Sequence, residues 1–243
     1  MTRARWRVLV LGGAVLIAAA ALALTLHTTK SDEIAPRSPT ARPALLLLTS
    51  LPLFFSEQFS LQGGGSPALK ALQSRYRVTP ISVTDTADLG KGRVLLMAHP
   101  LAQPAEDLVA LDAWVRRGGR VLLLADPLLE WPSARPLGDP LRPPPMFMDT
   151  GLLVHWGLRL EGPDRRGFAV RQLGRIDVLT ASPGSLSGSC DISADRLIAR
   201  CRLGKGRATV VADADLLDVE DLGEKAGHNL DGVLMELAAL DQP

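Results

Sequence analysis

The chain lacks a charge excess of either sign, and it lacks every compact catalytic or nucleotide signature. Its 27 basic and 26 acidic residues leave a formal net charge of +1 over 243 residues. That balance excludes a basic nucleic-acid binder, whose footprint is a strong positive excess. No His-x-His pair and no acidic loop with calcium spacing is present, which removes the usual short metal motifs. Gly63–Pro67, "GGGSP", has the glycines to approach a phosphate at a helix N-terminus but lacks the lysine and hydroxyl of a P-loop and the spacing of a dinucleotide fingerprint. No G-x-S-x-G elbow occurs, and neither cysteine sits in a strand-to-helix elbow that would make it a nucleophile.

Apolar residues are plentiful, at 47% of the chain, enough to bury a sizeable core. The longest uncharged apolar run is Val8 to Leu26. It is long enough to span a bilayer core as a helix at about 1.5 Å per residue. Arg3, Arg5 and Arg7 precede it and only Lys30 follows closely. The positive-inside tendency therefore sets residues 1–7 in the cytoplasm, 8–26 in the inner membrane, and the rest in the periplasm or another extracytoplasmic space. A cleaved signal peptide is the competing reading, with "ALA" at 21–23 as a cleavage-like pattern, but the run exceeds the usual signal core of about 7–15 residues.

The two cysteines are Cys190 and Cys201 in "GSCDISADRLIARCR". A turn centred on Asp195 and Arg196 places them opposite one another on neighbouring strands. The arrangement suits a cross-strand disulfide, while two reduced core thiols are the other reading.

Residues 27–43 are polar, proline-bearing and without periodicity, which reads as a linker. From Ala44 onward short apolar runs alternate with amphipathic segments. "ALLLLTS", "RVLLMAH" (93–99) and "RVLLLAD" (120–126) have the uniform apolarity of strands covered on both faces. "RVTPISV" (77–83) carries Pro80 and suits an edge. Ser66 caps a helix beginning at Pro67, and a second helix from Pro104 places Leu108, Leu111 and Val115 on one face and ends at Gly118 and Gly119. Asp112 and Arg116 make a solvated pair on that helix. Seven prolines between 127 and 145 exclude regular structure there. A β-rich part follows at about 167–203, and a terminal helix carries Leu230, Val233, Leu234, Leu237 and Leu240 at helical spacing with Asn229 as its N-cap. The expected fold class is α/β: a mostly parallel sheet with helices on both faces, one extracytoplasmic domain over 44–243.

Two glycine–strand–acid units, "GGRVLLLADP" and "GKGRATVVADAD", set Asp126, Asp213 and Asp215 at strand carboxyl ends, where open α/β sheets present groups to ligands. The simpler reading is that each aspartate caps its own following turn. His99 closes another strand next to Pro100 and shares the same rim, so an acid/base pair with Asp126 is conceivable beside the plainer reading of a hydrogen-bonded rim histidine. Trp114 and Trp156 read most simply as core aromatics, with a partner surface as the alternative.

The order "LVALDAWVRRGGRVLLLADP", proline-rich loop, "GLLVHWGLRL", β-rich stretch, "GKGRATVVADADLLD" and "HNLDGVLMELAAL" resembles the GldG-like family over about residues 44–240. That family is the auxiliary component of an uncharacterised ABC transport system linked to gliding motility; the order is also similar to DUF4350-type domains. The resemblance implies a flavodoxin-like fold, similar to class I glutamine-amidotransferase domains but without their cysteine, anchored in the membrane. Asp126, Asp213 and Asp215 match recurring family positions that have no assigned catalytic role. Many relatives carry a Gly-His-Gly-Glu-like turn after the first strand where this chain has "TSLPLFFSEQ", and larger members have a second span near the C-terminus.

The expected function is therefore a non-catalytic, membrane-anchored accessory component of an ABC-type transporter, with permease or other membrane subunits as partners and no cofactor, metal or nucleic acid. The rivals are a hydrolase or transferase using Asp126, Asp213 or Asp215 with His99, and a periplasmic small-molecule binding module.

Overall fold

A seven-stranded sheet runs in the order β2-β1-β3-β4-β11-β10-β9 through the computed structural model, which describes residues 34–55 and 65–242. The strands are β1 (Ala44–Thr49), β2 (Arg77–Pro80), β3 (Val94–Ala98), β4 (Arg120–Leu124), β11 (Gly206–Val211), β10 (Ile198–Leu203) and β9 (Asp191–Ile192). The pairs β1/β2, β1/β3, β3/β4 and β4/β11 are parallel, and β10 and β9 add antiparallel strands beyond β11. The expected anchor at 8–26 lies outside the described residues, as do Gly63 and Gly64. Among the described residues no helix is long and apolar enough to cross a membrane.

Uniform apolarity in the central strands is explained by cover on both faces. Leu46, Leu95, Met97, Val121, Leu123 and Val210 face Leu111 and Val115 of helix α2 (Ala105–Arg116) in one continuous core. Alternate residues, among them Leu45, Leu47, Leu96 and Leu122, are equally buried on the opposite face. That face is covered by α1 (Pro67–Arg75) and the terminal α3 (Asn229–Asp241), which contact one another, and α3 also meets β3, β4 and β11. Side chains of successive strand residues point to opposite faces, so cover on both sides demands apolar residues throughout. Ser66 accepts the Leu69 amide at 3.1 Å and caps α1. Pro80 sits at the end of an outermost strand, where its missing amide costs no ladder bond.

The packed unit begins at Arg37, earlier than the composition of the linker suggests. The Arg37 amide donates to Ser74 O at 2.9 Å and the Arg77 amide to Pro43 O at 2.8 Å, which ties residues 37–43 alongside α1 and β2. The Arg37 guanidinium also lies 5.3 Å from the centroid of the Tyr76 ring.

The β-rich region does not form one lobe. β5 (Leu158–Glu161) pairs with β8 (Ser185–Gly188), β6 (Phe168–Leu173) pairs with β7 (Ile176–Ala181), and β9 and β10 join the main sheet. β9 and β10 pair Asp191 with Arg200 and Ile192 with Ala199, in the register of a turn centred on Asp195 and Arg196. Cys190 and Cys201 continue that register and are joined by a disulfide, with Cα atoms 4.8 Å apart.

A candidate site at the strand ends

The carboxyl ends of β1, β3, β4 and β11 bring Ser50, His99, Asp126, Asp213 and Asp215 to one rim of the sheet. The loop 127–147 then folds over that rim. Pro144 O pairs with His99 Nε2 at 2.9 Å, the Phe147 amide donates to Asp126 O at 2.6 Å, and the Glu130 amide donates to Asp215 Oδ2 at 2.9 Å. Proline suits such a loop because the chain must run irregularly while offering carbonyls without matching amides.

Each aspartate is buried, and both oxygens of Asp126 and Asp213 are spent on backbone amides. Asp126 Oδ1 accepts from Leu128 N at 2.9 Å, while Oδ2 accepts from Ala214 N at 2.8 Å and Asp215 N at 3.4 Å. One carboxylate thus closes its own turn and clamps the turn after β11. Asp213 Oδ1 accepts from Leu216 N at 2.8 Å and Oδ2 from Ala181 N at 3.2 Å. Asp215 Oδ1 is buried with no hydrogen-bond partner.

Burial outweighs these amides electrostatically. Loss of water raises Asp126 to about 6, against the three amides that favour its charged form. Asp213 is raised well above the ordinary carboxylate value, first by burial and then by repulsion from Asp126 and Asp215. Asp215 is raised to about 8 by burial and by the neighbouring Asp126. Asp215 also borders a cavity of about 70 Å³ together with Glu130, Pro132, Phe168, Asp218 and Asp221.

His99 shares the rim but hydrogen-bonds none of the three acids, so the conceivable Asp126–His99 acid/base pair is not formed. Its backbone is left-handed, with φ of 45°, a conformation held by Ser50 Oγ donating to its carbonyl and by its own amide donating to Leu124 O. Burial lowers its pKa, which favours a neutral ring whose proton sits on Nε2, facing Pro144 O. Nδ1 is left without a partner.

Asn229 departs from the sequence reading. His228 occupies the N-cap position of α3, and the Asn229 side chain turns inward instead. Its Oδ1 accepts from Leu179 N and its Nδ2 donates to Leu179 O, both at 2.8 Å, with a further bond to Leu216 O at 3.0 Å. Glu130 and Ser182 complete the rim: Ser182 Oγ donates to Glu130 Oε1 at 2.8 Å and accepts from Gly167 N at 2.8 Å. Nothing in the local spacing marks these residues, because their partners lie 13 to 52 residues away. Trp156 is buried, with its Nε1 donating to Asp112 Oδ1 at 3.0 Å, so Asp112 serves both Trp156 and Arg116.

Among the described residues no three histidine, cysteine or acidic groups converge in a way that could hold a metal ion. The rim locks turns together with buried carboxyls, and Asp215 is the one of the three aspartates that lines the cavity described above.

No family model matches the chain, and no curated protein matches it. Solved structures share its fold. An exo-β-1,4-mannosidase, Op5Man5, from Opitutaceae bacterium strain TAV5 superposes with a TM-score of 0.52 at 12% identity, over 83% of this chain. The chain covers only 37% of that enzyme's length. The mmIFT52 N-terminal domain gives 0.52 at 14% identity, covering 82% of this chain and 99% of the domain. The cytoplasmic protein STM3548 from Salmonella typhimurium gives 0.50 at 9% identity, covering 81% of this chain and 98% of its own. At these identities the likeness is one of fold.

Proposed function

We propose that this chain is a non-catalytic, membrane-anchored extracytoplasmic accessory component of an ABC-type transport system, built on a flavodoxin-like core similar to glutamine-amidotransferase domains. The observation that carries the non-catalytic reading is the Asp126 carboxylate, which is filled by the amides of Leu128, Ala214 and Asp215 beneath the loop 127–147. Open α/β sheets bind ligands in the crevice at strand carboxyl ends, and here that crevice is occupied by the chain's own loop. The parallel strands, numbered along the chain, stand in the order 2-1-3-4 with β11 fifth, which supports the flavodoxin-like assignment. The Cys190–Cys201 disulfide supports an oxidising, extracytoplasmic location. The apolar run 8–26 supports the anchor. Against a hydrolase or transferase stands the separate engagement of His99 and the aspartates, each with backbone partners of its own.

The test is purification of the tagged full-length chain from gently solubilised membranes, with and without Asp126→Ala, followed by mass spectrometry of what accompanies it. Permease or ATPase subunits recovered with the parent chain are the expected result. Recovery of the chain alone at near-native expression overturns the transporter reading.

A further inference from the structure

The outer edge of the β6/β7 hairpin is open. Among the described residues β6 pairs only with β7. The phase of this ladder follows from the far side of β7, where Leu179 exchanges both its backbone groups with Asn229 and Ala181 donates its amide to Asp213. Those two residues therefore face away from β6. In an antiparallel pair, residues directly opposite either exchange both hydrogen bonds or make none with each other. Val170 stands opposite Leu179 and Phe168 opposite Ala181, so the amides and carbonyls of Phe168 and Val170 point outward too. Gln172 has the same phase, and its amide is already taken by the Asp195 carboxylate at 3.1 Å. Two ladder positions are thus open and the third is closed by an acid.

The surroundings indicate what would pair there. The Phe168 and Val170 side chains are 67% and 68% exposed. Residues 165–175 carry four arginines and no acid, and Arg165, Arg166 and Arg175 are exposed. A groove of about 390 Å³ adjoins the edge, lined by Val170, Arg171, Gln172, Asp177, Asp195 and Arg200. Asp195 is already engaged by Ser193 Oγ and by the amides of Gln172 and Leu197, and Arg200 is held by Glu236. Arg171, which also acts electrostatically on Asp195, makes the positive side of the groove, with Arg175 at the hairpin turn beside it. Asp218 and Asp221 share the small cavity at Phe168, which directs a ligand's acids to the other end, toward Arg171 and Arg175.

We propose that the outer edge of β6 is a β-augmentation site that takes an extended segment of a partner protein, apolar beside Phe168 and Val170 and acidic beside Arg171 and Arg175. The ladder amides and carbonyls supply affinity that tolerates sequence, and the arginines select charge. A second copy is the poorer occupant, because pairing β6 with itself brings two sets of four arginines together. This site adjoins the strand-end rim at Phe168 and does not depend on the transporter reading.

The test titrates the full chain, in neutral detergent, with a fluorescent acetyl-EVTVEDE-amide peptide and with its counterpart in which every glutamate and aspartate is lysine. Saturable binding of the acidic peptide, about tenfold or more tighter than the lysine peptide, is expected. Hydrogen exchange at the Phe168 and Val170 amides slows on binding. Val170→Pro removes one outward amide without touching a β6/β7 bond, and Arg171→Ala with Arg175→Ala removes the charge; each weakens binding about tenfold or more. If Val170→Pro unfolds the hairpin, the arginine variant and the exchange readout decide. No binding up to about 1 mM peptide overturns the proposal. So does unchanged exchange at Phe168 and Val170. Binding of phosphatidylserine vesicles in place of the peptide, lost with the arginines, reassigns the hairpin to a membrane surface. A concentration-dependent dimer that Val170→Pro abolishes reassigns it to a second copy.

Discussion

Asn229, the first residue of the terminal helix, pairs with Leu179 of β7 as a neighbouring strand would: its carbonyl oxygen takes the Leu179 amide and its amide meets the Leu179 carbonyl, both at 2.8 Å. Asp213 adds the next contact by accepting the Ala181 amide. Two side chains thus supply the hydrogen bonds that a further strand would make, and they fasten the β6/β7 hairpin to the end of the main sheet. The polar groups of this rim have a structural task that accounts for their burial.

Replacing Asn229 by alanine strands the Leu179 amide, the Leu179 carbonyl and the Leu216 carbonyl in the interior. At about 1–3 kcal/mol for each unsatisfied buried group, a loss of roughly 3 kcal/mol or more is expected in urea unfolding. Hydrogen exchange in β7 should accelerate well beyond that in β3. Equal acceleration in both strands would mean that Asn229 supports the whole fold and not the hairpin attachment.

Asp126→Ala leaves three amides without an acceptor, and an expected loss of about 2–4 kcal/mol follows from the same cost. The burden of a desolvated carboxylate is removed at the same time, so the loss should be greater at low ionisation cost, near pH 5, than at pH 8. Chemical denaturation at the two pH values checks this. A variant as stable as the parent would leave Asp126 free of its structural role and reopen an active one.

The buried acids predict a stability that declines as the solution becomes more alkaline. Asp126 and Asp215 have folded values near 6 and 8, raised above an unfolded value of about 3.9. A raised folded value means that the native state holds protons the unfolded chain has released. The stabilisation is complete below about pH 4 and is lost as pH climbs through 6 toward 8. The melting temperature should fall over that window, and Asp215→Asn should flatten the fall above pH 6. A slope unchanged in the variant would assign the titration to other groups.

Reduction of Cys190–Cys201 should cost about 3 kcal/mol, the order expected for cross-linking a loop this short. Because β9 and β10 form one edge of the main sheet, exchange should rise first in residues 190–201. Thermal melts with and without a thiol reductant measure the first effect, and an unchanged melting temperature contradicts it.

Glycine at 206 is required by contact. A Cβ there would stand 2.0 Å from Val115 O in the last turn of α2 and 2.3 Å from Gly119 O in the turn before β4, both backbone atoms. Gly206→Ala should therefore cost several kcal/mol, on the order of the larger overpacking penalties, whereas Gly162→Ala meets nothing within 4 Å and should be near neutral. Comparable melting temperatures for the two variants would refute the close approach of β11 to α2.

The sequence by itself determined the parallel core. Uniformly apolar strands, a helix ending on two glycines, a proline confined to an edge and a turn centred on Asp195 and Arg196 that sets Cys190 opposite Cys201 are all products of local chemistry: backbone freedom, hydrogen-bonding capacity and the period of the side chains. It also placed Asp126, Asp213 and Asp215 at strand ends and offered turn capping as their simpler role. What only the tertiary structure decided is which partners those ends meet. Asp126 reaches from the end of β4 to the turn after β11, and Asn229 abandons a cap to serve β7, 50 residues away. The loop 127–147 closes on His99 through a proline carbonyl. Each of these contacts joins segments brought together by sheet order, and the energy that selects them, satisfaction of buried amides, exists only once the chain has excluded water from the rim.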